Sequence, residues 1–194
     1  MIMELDVVLK WMEIFNDKIQ EEKVKLTELD TPIGDADHGN NMARGMNAVM
    51  ESLQAESLDS AAVALKLVAK NLISKVGGSA GPLYGSAILN IAKSVEVGDD
   101  LGQSLNQGLE AIKKRGKATE GEKTMIDTWA PVVSAVQANE LTEDLIDEAV
   151  NQTKDMKATK GRASYVGERS IGHIDPGAYS SGLLFKALIE AGGI

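Results

Sequence analysis

Three aspartates, Asp30, Asp35 and Asp37, fall within eight residues of one segment, Asp30-Thr31-Pro32-Ile33-Gly34-Asp35-Ala36-Asp37-His38-Gly39-Asn40-Asn41. Pro32 and Gly34 turn the chain there. Asp35 and Asp37 are one residue apart, so in an extended stretch they face the same way. Asp30 can fold back across the turn to join them. Carboxylates gathered this closely repel one another, and a hard cation relieves the repulsion. An all-oxygen donor set suits magnesium or calcium rather than zinc. An EF-hand loop counted from Asp35 requires glycine at its sixth position and glutamate at its twelfth, where Asn40 and Met46 stand. Magnesium takes a few carboxylates and completes its shell with water and substrate phosphates, which makes a nucleotide phosphate the natural second half of the site. The plainer reading is an acidic turn that caps a following helix, with Asp37 or Asn40 as N-cap. His38 is then a capping or surface histidine; its functional readings are a phosphate contact or a phosphorylated side chain.

A place for phosphate exists further on. Gly77-Gly78-Ser79-Ala80-Gly81-Pro82-Leu83-Tyr84-Gly85-Ser86 is a glycine-rich turn with a proline suited to the first turn of a helix. Backbone N–H groups at such a helix start form an anion site. No Gly-Lys-Ser/Thr is present, and no strand precedes the turn, so it is neither a P-loop nor a dinucleotide fingerprint. Tight helix packing explains a run of glycines equally well. Two late loops offer groups for a base. Gly121-Glu122-Lys123-Thr124-Met125-Ile126-Asp127 carries Met125, a polarizable packing residue. Gly161-Arg162-Ala163-Ser164-Tyr165 carries Arg162, which can lie flat on a purine or pair with a phosphate. Asp175-Pro176-Gly177-Ala178 reads as a turn into the last helix, with Asp175 as its cap.

These loops need a scaffold, and the rest of the chain reads as helices. Leu5, Val8, Leu9, Met12, Phe15 and Ile19 recur at helical spacing. The same pattern marks Met42–Leu53, Ala62–Leu72, Pro82–Val95 and Leu101–Ile112. Further helices begin near Trp129–Pro131, at Thr142 and at Gly177. That makes eight helices and no convincing strand in 194 residues, with aromatics at only 4%. The expected fold is all-α, a single nucleotide-binding domain over 1–194, as a bundle or closed ring of antiparallel helices. Four glycine-rich breaks, Leu29–Asn41, Val76–Gly85, Gly116–Thr128 and Lys160–Ala178, are long for a bundle, and loops sharing one end would build a composite site.

Composition narrows the chemistry. A formal net charge of -9 and the lack of a basic stripe argue against nucleic acid. The absence of cysteine excludes disulfides, thiolate metal sites and a cysteine nucleophile. No signal peptide or membrane span is evident, and a cytoplasmic location is expected.

Four ordered stretches together resemble the nucleotide-binding domain of dihydroxyacetone kinases. They are Asp30 with Gly34-Asp35-Ala36-Asp37-His38-Gly39-Asn40-Asn41-Met42, Gly78-Ser79-Ala80-Gly81-Pro82-Leu83-Tyr84-Gly85, Thr124-Met125-Ile126-Asp127, and Gly161-Arg162-Ala163-Ser164-Tyr165 with Asp175-Pro176-Gly177-Ala178. The resemblance covers essentially the whole chain and is strongest to the free-standing ADP-binding subunits of the bacterial phosphotransferase-dependent enzymes. It implies a closed barrel of eight antiparallel helices with the nucleotide at one end. It implies that Asp30, Asp35 and Asp37 hold two magnesium ions, and that His38, Asn40 and Asn41 lie beside the phosphates of ADP or ATP. Gly78, Ser79 and Ala80 would cradle those phosphates. Gly116, Met125 and Arg162 would surround the nucleoside, and Asp175, Pro176 and Gly177 would close the pocket. The implied partners are a phosphohistidine-bearing phosphotransferase subunit and a dihydroxyacetone-binding subunit. Three rival expectations remain: a domain that exchanges free ATP, a nucleotide-loaded regulator of a transcription factor, and a phosphohistidine carrier using His38 or His173.

Overall fold

The computed structural model of the chain describes residues 2–194. Among the described residues it has nine α-helices and no strand. They are α1 (Leu5–Glu21), α2 (Lys23–Asp30), α3 (His38–Ala55), α4 (Ala61–Lys75), α5 (Ala80–Glu96), α6 (Leu101–Gly116), α7 (Ile126–Ala138), α8 (Glu143–Asn151) and α9 (Pro176–Glu190). The long connection between α8 and α9 winds through two 3-10 segments, Gln152–Asp155 and Arg162–Ser170.

Local chemistry sets most of these boundaries. Side chains of Ser60, Thr142 and Asp175 accept the amides of Val63, Leu145 and Ala178 at the starts of α4, α8 and α9. Asp100 and Gln103 form a reciprocal capping box at the start of α6. The apolar stripe of α1 buries Val8, Trp11, Met12, Phe15 and Ile19.

Two expectations need correction. The N-terminal helix is followed by a second, α2, so the described residues form nine helices rather than eight. The break falls at Glu22, whose Oε2 accepts the Tyr179 hydroxyl at 3.0 Å. The helix expected from Trp129–Pro131 instead starts at Ile126, and Pro131 lies inside it. Proline there cannot bond to the carbonyl of Asp127 four residues back. Gln152 Nε2 donates to that freed carbonyl at 3.1 Å, which removes the penalty of a buried, unpaired acceptor.

From α3 to α9 each helix packs on the next, α9 packs back on α1, and α1 packs on α3. Taking α1 and α2 as one broken stave, this neighbour order is compatible with the expected eight-stave barrel. Small residues let the staves approach: a Cβ at Gly85 would strike the Ile73 side chain of α4. One apolar core runs from Met3 to Ala191. At its centre Trp129 meets Phe185 edge-on, ring centroids 4.8 Å apart. Trp11 is sealed too, its indole N–H donating to Leu184 O at 2.8 Å. No described helix is long and apolar enough to cross a membrane.

Candidate functional site

The acidic loop is assembled by Asp30. This residue ends α2, is buried, and accepts the backbone amides of Asp37 (2.9 Å) and His38 (3.1 Å) through Oδ2. It therefore caps α3 from eight residues upstream, while Asp37 makes no side-chain cap of its own. The loop is not extended between Asp35 and Asp37. Ala36 sits in the left-handed region at φ 59°, a conformation costing a non-glycine residue roughly 1–2 kcal/mol. That turn, rather than strand-like alternation, swings the carboxylates together. Asp30, Asp35 and Asp37 each offer an oxygen within 4.8 Å of the other two. Gly34 makes room for this, since any Cβ there would overlap the Asp30 carboxylate.

The electrostatics reflect the crowding. Asp35 holds its proton more tightly than an ordinary aspartate, through desolvation, then the neighbouring Asp37, and more weakly Asp30. Arg162 opposes this, its Nη2 lying 2.9 Å from Asp35 Oδ2. Burial pushes the His38 imidazole towards its neutral form despite the attraction of Asp30 and Asp37.

The cluster opens on a cavity of about 440 Å³. Into the same cavity face His38 and Asn41 of α3, the turn Gly78-Ser79-Ala80, Gly116 at the end of α6, Met125, Arg162, and Asp175-Pro176-Gly177. Elements separated by well over a hundred residues thus meet there. Gly78 takes φ 65°, and Ser79 places no side chain over the first amides of α5, which stay free for an anion. Asn41 packs against Gly77 and accepts Arg44 Nη2 at 2.9 Å. Asn40 is the exception. It is exposed and lines a different surface depression with Gln20, Lys23 and Arg44. His38 and Asn41 are three residues apart and share a helix face; Asn40 falls on the other side.

Three groups in or behind the wall were not singled out from sequence. Lys123 is 1% exposed and donates to the carbonyls of Thr153 (2.6 Å), Met156 (3.1 Å) and His173 (2.5 Å). All three of its protons are used, so it ties the α8–α9 connection to the Met125 loop. Asp127 accepts the amides of Gly121 and Thr124 and shapes that loop from within. A run of buried hydrogen bonds joins His38 to Ser180, Tyr84, Ser181 and Trp129. Asp175 is buried beside Lys123. Desolvation raises its pKa to about 7, against the bond from Ala178 and the charge of Lys123.

Fold and site together define a helical protein whose carboxylates, free helix-start amides and late loops converge at one cavity. Comparison with known proteins gives that arrangement a family. Residues 32–190 match the model of the DAK2 domain. The "PEP-dependent dihydroxyacetone kinase 1, ADP-binding subunit DhaL" of Listeria innocua is 48% identical over 194 residues, 98% of either chain. The "PTS-dependent dihydroxyacetone kinase, ADP-binding subunit DhaL" of Lactococcus lactis is 49% identical over 189 residues, 97% of this chain and 98% of that one. Among solved structures, the dihydroxyacetone kinase of C. freundii superposes with a TM-score of 0.77 at 27% identity. The match covers 94% of this chain but only 34% of that one. The chain belongs to the DAK2-domain family, among the dihydroxyacetone kinase ADP-binding subunits.

Proposed function

We propose that this chain carries ADP or ATP with two magnesium ions as a retained coenzyme of a dihydroxyacetone kinase. In this reading a phosphohistidine on a phosphotransferase-system subunit charges the nucleotide, and the phosphoryl group passes to dihydroxyacetone held by a separate subunit. The work is cytoplasmic. The observation that carries the proposal is the convergence of Asp30, Asp35 and Asp37 with the free start of α5 on one cavity.

The residues fit a hard dication. Three carboxylate oxygens already converge, and positive charge relieves the repulsion by Asp37 and Asp30 that, after desolvation, raises Asp35's pKa. Bound there, magnesium neutralises phosphate oxygens and so favours phosphoryl transfer. The chain itself binds and orients. Asp30 anchors its position through Oδ2, and its Oδ1 lies against Gly34. Gly78, Ser79 and Ala80 receive the phosphates, with His38 and Asn41 alongside. Gly116, Met125 and Arg162 flank the nucleoside, and Asp175-Pro176-Gly177 shut the wall behind it. Asn40 is left out of this set. No residue here is assigned as base for the sugar hydroxyl, so catalysis by this chain rests on positioning and electrostatics.

Retention rather than free exchange is supported by similarity: 48–49% sequence identity to the two named ADP-binding subunits, against 30% to the longer C. freundii kinase. No observation favours the regulator or the phosphohistidine carrier. Denaturing the purified protein should release about one adenine nucleotide per chain. Protein that is nucleotide-free as isolated, yet binds added ATP and turns it over, would point instead to the exchanging kinase. Reconstitution with a dihydroxyacetone-binding subunit and a phosphohistidine donor tests the transfer itself.

A further inference from the structure

The buried hydrogen bonds beneath the cavity have a direction. Trp129 Nε1 is a donor only, and it ends on Ser181 Oγ at 3.0 Å. Ser181 is fully buried, and its other partner is the Tyr84 hydroxyl at 2.9 Å, so its own proton goes there. Tyr84 has now accepted once and turns its proton to Ser180 Oγ at 2.7 Å; the Gly177 carbonyl, at 3.5 Å, is at the limit of a hydrogen bond. Ser180 then donates either to His38 Nε2 at 2.9 Å or to Gly177 O at 3.2 Å. The nearer acceptor is the imidazole nitrogen.

We infer that Trp129, Ser181, Tyr84 and Ser180 form a one-way chain of positioning residues that fixes His38 with its Nε2 lone pair inward and its proton on Nδ1. The consequence lies at the cavity. Nδ1 has no partner within the described chain, and Ser104 Oγ is the one sealed side-chain atom there that lacks a partner, so Nδ1 opens on the cavity that His38 lines. The chain thus presents an N–H donor to whatever anion occupies the start of α5, rather than a lone pair that would repel it. Trp129 comes from α7, Tyr84 from α5, and Ser180 and Ser181 from α9, so three staves of the ring set the tautomer of a residue on a fourth. The tautomer stands by itself; its use towards phosphate rests on the function proposed above.

Nitrogen-15 NMR on labelled, nucleotide-free protein above pH 8, where an ordinary imidazole is neutral, reads the tautomer directly. The chain has two histidines, so His173→Gln assigns the signals. The expected result is a protonated-type shift at His38 Nδ1 and an unprotonated-type shift at Nε2. Tyr84→Phe should weaken that preference, because a Ser180 hydroxyl that no longer receives the Tyr84 proton is a poorer donor to Nε2 and a better acceptor from it. ADP affinity in that variant should fall roughly tenfold to hundredfold, the range for a bond to a charged acceptor. Ser180→Ala, which cuts the final link, gives the same reading if Tyr84→Phe does not fold. A wild-type Nε2–H tautomer overturns the inference, and so does an unchanged Nδ1–H tautomer in a folded Tyr84→Phe or Ser180→Ala protein. A correct tautomer in a protein that binds no ADP leaves the chain standing and removes only the proposed function.

Discussion

Arg162 and Asp35 pair across the cavity, guanidinium Nη2 to carboxylate Oδ2 at 2.9 Å, from loops 127 positions apart in the sequence. The guanidinium holds an oxygen that a dication at the acidic loop would claim. Both side chains are substantially exposed, at 64% and 34%, so the pair adds little to stability. Arg162→Ala should leave the unfolding free energy of metal-free protein within about 0.5 kcal/mol of wild type in urea. The same variant should bind ADP about tenfold more weakly, since the loss of one charge-assisted contact costs about that much. Unchanged ADP binding would show that Arg162 is only a surface cation.

Gly34 has no steric slack against Asp30. Gly34→Ala must displace the Asp30 carboxylate, and with it the amide bonds to Asp37 and His38. Magnesium-dependent ADP binding, measured by calorimetry, should weaken by about a hundredfold, near 3 kcal/mol. A variant that binds normally would mean that Asp30 is not a ligand.

Asp175 gives the apo protein a pH dependence. Its carboxyl keeps a proton to about pH 7 in the folded state and releases it near the ordinary 3.8 when unfolded. A folded pKa raised in this way favours folding fully below 3.8, and that contribution is lost as pH rises to about 7. The groups facing it are Lys123, which opposes the shift, and Asp127 and Asp30, which reinforce it. Asp175→Asn keeps an acceptor for the Ala178 amide and removes the titration. The stability of the variant relative to wild type should therefore climb between pH 4 and 7, by roughly 4 kcal/mol at most. Urea unfolding across that range, in chelator and without nucleotide, checks it; a constant difference would rule it out.

Lys123→Met keeps the aliphatic stem but leaves three carbonyls without their donor. The expected cost is about 2–4 kcal/mol in urea unfolding. Proteolysis should fall first between Thr153 and His173, because that connection loses its tie to the Met125 loop.

The long helices are legible because each carries its own signal: an apolar stripe, or Thr142 and Asp175 at the start. α2 carries none. Only Leu26 and Asp30 are buried in it, and its start is set by Tyr179 reaching Glu22 from the far end of the chain. Lys123 looks like a solvated charge because its acceptors lie 30 to 50 residues away. The acidic loop is legible as a cluster but not in its geometry, since nothing local marks Ala36 as left-handed. Asn40 reads as a neighbour of His38 and Asn41 along the sequence, yet helical phase turns it to another face. Motif spacing identifies the loops that meet; the residues that hold them together come from distant contacts.

The chain's two tryptophans, Trp11 and Trp129, are both sealed, and both indole N–H groups end on α9, at Leu184 O and Ser181 Oγ. The protein therefore contains two rigid, water-free fluorophores watching one helix, one from α1 and one from α7. Trp129 alone is wired towards His38, so in a Trp11→Phe background its emission becomes an optical gauge of events at the far end of that wire. Trp11, viewed in a Trp129→Phe background, serves as the quiet reference lamp.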